Sequence, residues 1–232
     1  MKRRSFVLAL AAAAVVPPAI AQKYMKIGVI GSGRIGTMLG GLWAKAGHEV
    51  MFSDRDAEQA KRAMESAGPR ARTGSVKEAA AFGDVVLIAV PYAALPAVQN
   101  EVGAALKGKV VVDPNNPVPA RDGEMAVKAK EKGAAVSTAA LLPEARLVRS
   151  FNSWGYALMQ REANRSAPRM ALPVAADDAA ALKVGVQLVA DAGFDPVPAG
   201  SLAASKAFDL GSPVSGRVLT AAELRQALLL KP

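Results

Sequence analysis

Short apolar runs alternate with amphipathic stretches from residue 25 to about residue 115. The apolar runs are typical of buried strands and read MKIGVI (25–30), HEVMFS (48–53), VVLIAV (85–90) and VVVD (110–113). The stretches between the first three runs have helical spacing, and one of them opens with the capping box Ser75–Glu78. Parallel strands need crossover helices, and the helical stretches between the apolar runs can form these crossovers. The pattern therefore predicts an α/β fold with a doubly wound parallel sheet.

The pattern loosens after about residue 115. Two further apolar runs, RLVRSF (146–151) and RMALPVAA (169–176), are candidate strands. Residues 177–193 show a helical pattern with an acidic start and a glycine stop, and residues 220–230 show another. We therefore expect a second, smaller α/β unit after the main sheet.

A glycine-rich segment, Gly31-Ser32-Gly33-Arg34-Ile35-Gly36, separates the first strand from the first helix. In this G-x-G-x-x-G pattern the first glycine permits a tight turn, the second lets the backbone approach a pyrophosphate, and the third lets helix and strand pack closely. A helix N-terminus adds free N–H groups for phosphates. The alternative is a turn that only packs the helix on the strand. We predict a Rossmann dinucleotide-binding domain over residues 25–150 and a small C-terminal α/β lobe over residues 151–232.

The end of the second strand should select the dinucleotide, and it reads Ser53-Asp54-Arg55. An acidic residue there holds the ribose 2′-hydroxyl of NAD, whereas a cation accepts the 2′-phosphate of NADP. Arg55 would attract a 2′-phosphate, with Ser53 as a hydrogen-bond donor, and Asp54 would repel one if it pointed at it. We favour NADP as the cofactor, with NAD as the alternative.

The composition limits which catalytic groups and partners the protein can have. The chain has 232 residues, a net charge of +9, no cysteine and one histidine, His48. No lysine-arginine run follows residue 4, so the basicity favours anionic ligands and we expect no nucleic acid partner. We expect His48 to be structural. With no cysteine and no second histidine, a cysteine nucleophile, a Ser-His-Asp triad and a histidine-rich metal site are excluded. We therefore assign no catalytic residue and no metal ligand, and we expect direct hydride transfer between two cofactor-like rings.

Residues 1–21 are typical of a secretory signal. A basic start, KRR, precedes the apolar run FVLALAAAAVV, and the small-residue pattern AIA follows at 19–21. This run is shorter than the roughly 20 residues that span a bilayer, so we expect cleavage after Ala21 and no stable membrane span afterwards. The alternatives are an N-terminal anchor or a tail. The segment RRSFV resembles the twin-arginine export signal, which predicts a periplasmic or secreted protein that is exported folded.

Several segments occur in a fairly specific order and spacing. They read IGVIGSGRIGTMLGGLWAKAGHEVMFSDRD, GDVVLIAVPYAALPAV, GKVVVDPNNP, LPEARLVRSFN and DAGFDPVPAGSL. Together they resemble the deazaflavin (coenzyme F420)-dependent NADP oxidoreductases. The resemblance implies a dinucleotide domain with a small C-terminal lobe, and hydride passed between NADP and a deazaflavin. It also implies 2′-phosphate contacts at Ser53 and Arg55, a nicotinamide-side loop at Ala89, Val90 and Pro91, and a motif after the fifth strand at Asn116 and Pro117.

We predict an NAD(P)-dependent oxidoreductase that transfers hydride between NADP(H) and a flavin, deazaflavin or related redox carrier. One alternative is an exported dinucleotide-binding module without turnover. Another is a small-substrate reductase of the pyrroline-carboxylate or hydroxyacid type. Those families add a large helical domain, whereas the residues after Asn116 offer only two long helical patterns, so we rank this alternative lower. We expect the acceptor beyond the carboxyl ends of the strands, near Asn152, Trp154 and Tyr156, although the two aromatic residues could instead be packing residues. A homodimer is left open.

Overall fold

The computed structural model describes residues 24–230 of the chain. The predicted export signal at residues 1–21 lies outside the described residues. Between residues 24 and 230, no helix is both long and apolar enough to cross a membrane.

Parallel strands form a six-stranded main sheet in the order β3-β2-β1-β4-β5-β6. The strands are β1 (Lys26–Ile30), β2 (Glu49–Ser53), β3 (Ala71–Thr73), β4 (Val85–Ile88), β5 (Val110–Asp113) and β6 (Arg146–Arg149). The strand order reverses between β1 and β4, and doubly wound sheets bind their ligands at this point. The predicted α/β fold with a doubly wound parallel sheet is confirmed.

Helices cover both faces of this sheet, because its strands are apolar on both sides. On one face α1 (Arg34–Lys45), α2 (Ala57–Ala67), α7 (Tyr156–Glu162) and α8 (Ala179–Asp191) pack on residues such as Val29 and Leu87. On the other face α3 (Val76–Phe82), α4 (Leu95–Val102), α5 (Pro119–Lys132) and α6 (Ala134–Leu141) pack on residues such as Val86 and Ile88. The helix α5 is broken at Gly123, where φ is +65°.

The segment after β6 forms a second layer. Two parallel strands, β7 (Ala171–Val174) and β8 (Asp195–Pro198), are covered by α8 and by α9 (Ala221–Ala227). This segment shares a hydrophobic cluster with the main sheet, and the Trp43 indole of α1 donates to the Leu188 carbonyl of α8 at 2.8 Å. The predicted boundary at residue 150 thus follows directly after β6, but the two layers pack against each other closely.

Candidate functional site

The glycine loop lies between β1 and α1, at the carboxyl edge of the sheet. Gly31 has a φ of +93°, and its N–H donates to the Ser53 carbonyl at 2.9 Å. A Cβ at Gly36 would collide with the Gly31 carbonyl oxygen. Gly33 differs from both, since a Cβ built there meets no atom within 4 Å of the described structure. Gly31 and Gly36 therefore shape the turn, and Gly33 leaves open space above it.

The N-terminus of α1 faces this open space. Gly33 is the N-cap residue, and no side chain of the described chain caps the helix. The first N–H groups of a helix have no partner within the helix, so they remain available to an anion. The Ser32 hydroxyl is not among the available donors, because it is buried and donates to the Ser53 carbonyl at 3.1 Å.

Arg34 and Ile35 form the start of α1, and their side chains lie in different surroundings. The Arg34 guanidinium lies over the Tyr156 ring, 5.1 Å from its centroid, in a depression on the α1–α2 side of the loop. Ile35 packs against the hydrophobic core. The Ile35 side chain, predicted to contact the cofactor, is therefore a packing side chain. Its contribution to a ligand is limited to its backbone N–H.

Ser53 and Arg55, the two predicted contacts of a 2′-phosphate, point to different places at the end of β2. The Ser53 side chain is fully buried, and its hydroxyl donates to the Val29 carbonyl at 2.8 Å. Its predicted contact with a 2′-phosphate therefore does not agree with the structure, because the hydroxyl faces the sheet interior. Asp54 and Arg55 both line the cleft beside the loop, and the Asp54 carboxylate accepts the Ser32 N–H at 2.7 Å.

This cleft has a volume of about 360 Å³ and runs from the glycine loop to α4. It is within the size range of small-molecule sites. Ala89, Val90 and Pro91, the predicted nicotinamide-side loop, form part of its wall. The remaining lining residues are Ile30, Gly31, Gly33, Asp54, Arg55, Gln59, Val76, Ala94, Ala97, Val98 and Glu101.

A second depression of about 500 Å³ lies beyond the carboxyl end of β5. Asn116 and Pro117 form one wall, and Lys130, Lys206 and Asp209 line it as well. The Asn116 amide is held from two sides, since its Nδ2 donates to the Asn152 carbonyl at 2.6 Å and its Oδ1 accepts from Arg149 at 3.3 Å. Asn116 therefore fixes the loop after β5.

Asp122 joins the walls of the cleft and the second depression. Its carboxylate accepts the Ala93 N–H at 3.3 Å, just after the nicotinamide-side loop, and the Val118 N–H at 2.9 Å, in the loop after β5. Arg121 donates to both oxygens of the same carboxylate. Burial by itself would raise the pKa of Asp122, but these hydrogen bonds outweigh it and lower the pKa below its ordinary value. No pattern in the sequence singled out Asp122.

A buried ion pair lies beneath the second depression. The Arg149 side chain is fully buried and donates to Asp113 at 3.0 Å and to Asp209 at 2.9 Å. Burial raises the pKa of the Asp113 carboxyl, and the Arg149 charge opposes that rise. The Arg149 Nε and the Asn152 Oδ1 have no hydrogen-bond partner in the described structure. This cluster connects β5, β6 and the segment before α9.

Two of the residues expected near the acceptor are packing residues. Asn152 is buried and donates to the Phe208 carbonyl at 3.0 Å, and the Trp154 indole donates to the Arg217 carbonyl at 2.7 Å. Neither side chain lines the cleft or the second depression, so this expectation was wrong for both. Tyr156 is partly exposed, but it lies on the far side of the glycine loop, beneath Arg34.

His48 lies at the opposite edge of the sheet, directly before β2. Its Nδ1 accepts the Met25 N–H at 3.1 Å, and its Nε2 lies 3.0 Å from an Asp191 carboxylate oxygen. These bonds tie β1 and β2 to the end of α8, which is the structural role expected from its position. Over residues 24–230, no group of three or more histidine, aspartate, glutamate or cysteine side chains could hold a metal ion.

Residues 26–117 match the protein family described as "NADP oxidoreductase coenzyme F420-dependent". The match covers less than half of the chain. An F420-dependent NADP reductase from Methanothermobacter marburgensis is 36% identical over 112 residues. The alignment covers 45% of this chain and 50% of the relative, so the chain spans about half the length of the curated relative it matches.

Solved structures share the fold over a longer range. A hypothetical protein from Sinorhizobium meliloti is 24% identical, with a TM-score of 0.70 over 85% of this chain and 96% of that one. A provisionally named F420-dependent NADP reductase from Arthrobacter sp. FB24 is 23% identical, with a TM-score of 0.65 over 78% of this chain and 87% of that one. At these identities the similarity shows the fold alone.

Proposed function

We propose that this protein is an oxidoreductase that transfers hydride between a nicotinamide dinucleotide and a planar redox acceptor of the flavin or deazaflavin class. The observation that carries the proposal is the open space above Gly33, at the uncapped N-terminus of α1, within a cleft of about 360 Å³. The family that residues 26–117 match is described as an NADP oxidoreductase family, which supports the same chemistry.

The proposal assigns successive parts of a dinucleotide to residues along the cleft. Gly33 and the N–H groups of α1 would hold the pyrophosphate. Asp54 and Arg55 would contact the adenosine ribose, and Ala89 to Pro91 would contact the nicotinamide end. When bound, the dinucleotide supplies or accepts the hydride.

The chain itself contributes binding and orientation. The only histidine is buried at the other edge of the sheet, so it cannot act as a base here. Tyr92, beside the nicotinamide-side loop, is buried, and burial raises the pKa of its hydroxyl further above neutrality. Hydride transfer between two rings needs no proton from the protein at the reacting atoms, which agrees with this set of side chains.

The second depression is the site that we propose for the acceptor. It lies next to the nicotinamide-side wall, because Asp122 bonds to both Ala93 and Val118. Its volume of about 500 Å³ is sufficient for a tricyclic ring. Lys130 and Lys206 line it, so an anionic group on the acceptor would find cations there, although Asp209 lies on the same wall.

The proposal is tested by mixing the purified protein, without oxygen, with NADH or NADPH and with FMN or a synthetic 5-deazaflavin. We expect equal molar losses of reduced nicotinamide and oxidised acceptor, measured by absorbance. Binding of a dinucleotide without reduction of any acceptor of this class would contradict the proposal and favour a binding module.

A pair of glycine variants in α1 provides the matched control. Gly33→Val fills the open space with a side chain that the backbone, with a φ of −69°, accepts without strain, and it should abolish the reaction. Gly41→Ala lies in the same helix with no atom within 4 Å of the added Cβ, and it should keep the reaction unchanged.

A further inference from the structure

Asp54 lies where a Rossmann site selects the adenosine ribose of its dinucleotide. It follows β2 directly, and the last residue of β2, Ser53, is in register with Ile30 at the end of β1. Its side chain lines the same cleft as Gly31 and Gly33. An acidic residue at this place accepts a hydrogen bond from the ribose 2′-hydroxyl, a group that is free in NAD and phosphorylated in NADP.

The Asp54 carboxylate is fixed in position by three donors. Its Oδ2 accepts the Ser32 N–H at 2.7 Å and the Gln59 Nε2 at 3.1 Å, and its Oδ1 accepts the Asp56 N–H at 3.1 Å. A carboxylate has about four acceptor positions, so one remains for a ribose hydroxyl. The carboxylate cannot turn away from a ligand at the glycine loop without breaking these bonds.

The other charges in the cleft do not compensate for Asp54. Glu101 is a second carboxylate on the cleft wall, and Arg55 supplies the positive charge there. Arg55 is exposed, so water and salt screen its charge. The Ser53 hydroxyl is occupied by the Val29 carbonyl. A 2′-phosphate carries about −1.5 to −2 charges at neutral pH, and it would lie beside a fixed carboxylate.

We infer that Asp54 makes this protein bind NAD(H) in preference to NADP(H), although the family description of residues 26–117 names NADP. The inference rests on the proposed function and adds the identity of the dinucleotide to it. It reverses the preference for NADP drawn from the sequence. That preference assumed that Ser53 and Arg55 act together, whereas the structure turns Ser53 into the sheet and Asp54 into the cleft.

The test compares two ligands that contain only the adenosine end, ADP-ribose and its 2′-phosphate derivative. Isothermal titration calorimetry on the wild-type protein should show that ADP-ribose binds at least about tenfold more tightly than its 2′-phosphate derivative. This factor corresponds to the loss of one charged hydrogen bond. Equal binding, or tighter binding of the 2′-phosphate derivative, would overturn the inference without any variant being made.

Variants of neighbouring residues then assign the preference to one side chain. Asp54→Asn keeps the size and removes the charge, and it should weaken ADP-ribose about tenfold and strengthen the 2′-phosphate derivative by a similar factor. Adding Arg55→Ala should cancel the gain for the 2′-phosphate derivative. Asp56→Asn is the matched control, because it removes a carboxylate two residues away and asparagine is an equally good N-cap for α2. An equal change in the control would overturn the assignment to Asp54.

The outcomes separate this inference from the proposed function. Selective binding of ADP-ribose without reduction of any acceptor would contradict the proposed function and leave the NAD preference standing. Acceptor reduction that is faster with NADPH than with NADH, at subsaturating dinucleotide, would overturn the preference and leave the proposed function standing. If neither ADP-ribose ligand binds, both are overturned. A thermal unfolding curve of Asp54→Asn shows whether the glycine loop tolerates the change, and Asp54→Ser serves as the second variant.

Discussion

Gly33 and Gly36 lie three residues apart, but a methyl group added to each would meet different surroundings. At Gly36 it would collide with the Gly31 carbonyl oxygen, a backbone atom held in the turn, whereas at Gly33 it would meet nothing within 4 Å. We expect Gly36→Ala to lower the free energy of unfolding by about 1–3 kcal/mol or more. Gly33→Ala should cost less, about 0.5–1 kcal/mol, because alanine is a poorer N-cap than glycine. Urea denaturation measures both, and equal costs would contradict the assignment of different roles.

The residues at the end of β2 show what the sequence could and could not predict. The glycine motif and the triplet Ser53-Asp54-Arg55 could be found in the sequence, because both follow an apolar run. β2 ends at Ser53, so strand alternation does not predict where Asp54 and Arg55 point. In the structure Ser53 faces the sheet interior, whereas Asp54 and Arg55 both line the cleft. The orientation itself depends on the bond between Asp54 and the Ser32 N–H, which only the folded loop shows.

Between elements, Asp122 connects the turn Tyr92–Ala94 with the loop before α5. Asp122→Asn would leave at least one of its donors without an acceptor and remove the charged bonds from Arg121. We expect a loss of about 1–3 kcal/mol of stability and a lower rate of hydride transfer, with the binding of ADP-ribose unchanged. Glu124→Gln is the control, because Glu124 makes only an exposed pair with Lys128 among the described contacts. A lowered rate in the control, or weaker ADP-ribose binding in Asp122→Asn, would contradict this role.

The stability that Asp122 contributes should also depend on pH. Its pKa in the folded protein lies below the ordinary value of 3.8, so folding favours the ionised form. The contribution is therefore fully present above the ordinary pKa and is lost as the pH falls through the folded pKa. The difference in unfolding free energy between wild type and Asp122→Asn should be constant from pH 6 to about pH 5 and shrink below about pH 4. A difference that grows at low pH would contradict the lowered pKa.

The elements that the sequence analysis missed lack the patterns on which it relied. β3 has three residues, two of them exposed, and β8 reads DPVP, with two prolines that argue against a strand. The helix α5 is interrupted at Gly123, which breaks its helical spacing. The strands and helices that were predicted each bury an apolar stripe or run.

Across the whole molecule, the buried cluster around Arg149 connects the main sheet to the C-terminal segment through Asp113 and Asp209. Arg149→Met would leave the Asp113 carboxylate buried without its counterion, at a cost of about 3–5 kcal/mol. Asp113→Asn in the same chain removes that unpaired charge, so the double variant should be less destabilised than the sum of the single variants. A double-mutant cycle from chemical denaturation measures this coupling. Additive costs would show that the ion pair contributes little.

The compartment of the protein is a further property of the whole chain, and we propose export on the basis of residues 1–21 alone. A dinucleotide protein that acquires its ligand in the cytoplasm must fold before export, and a twin-arginine signal serves that route. Arg3→Lys/Arg4→Lys keeps the charge and removes the forked guanidinium pair. A twin-arginine signal should fail after this change, whereas an ordinary signal needs only positive charge and should tolerate it. Cell fractionation with N-terminal sequencing decides between them. Undiminished periplasmic protein in the double variant would reject folded export, and an uncleaved cytoplasmic wild type would reject the signal itself.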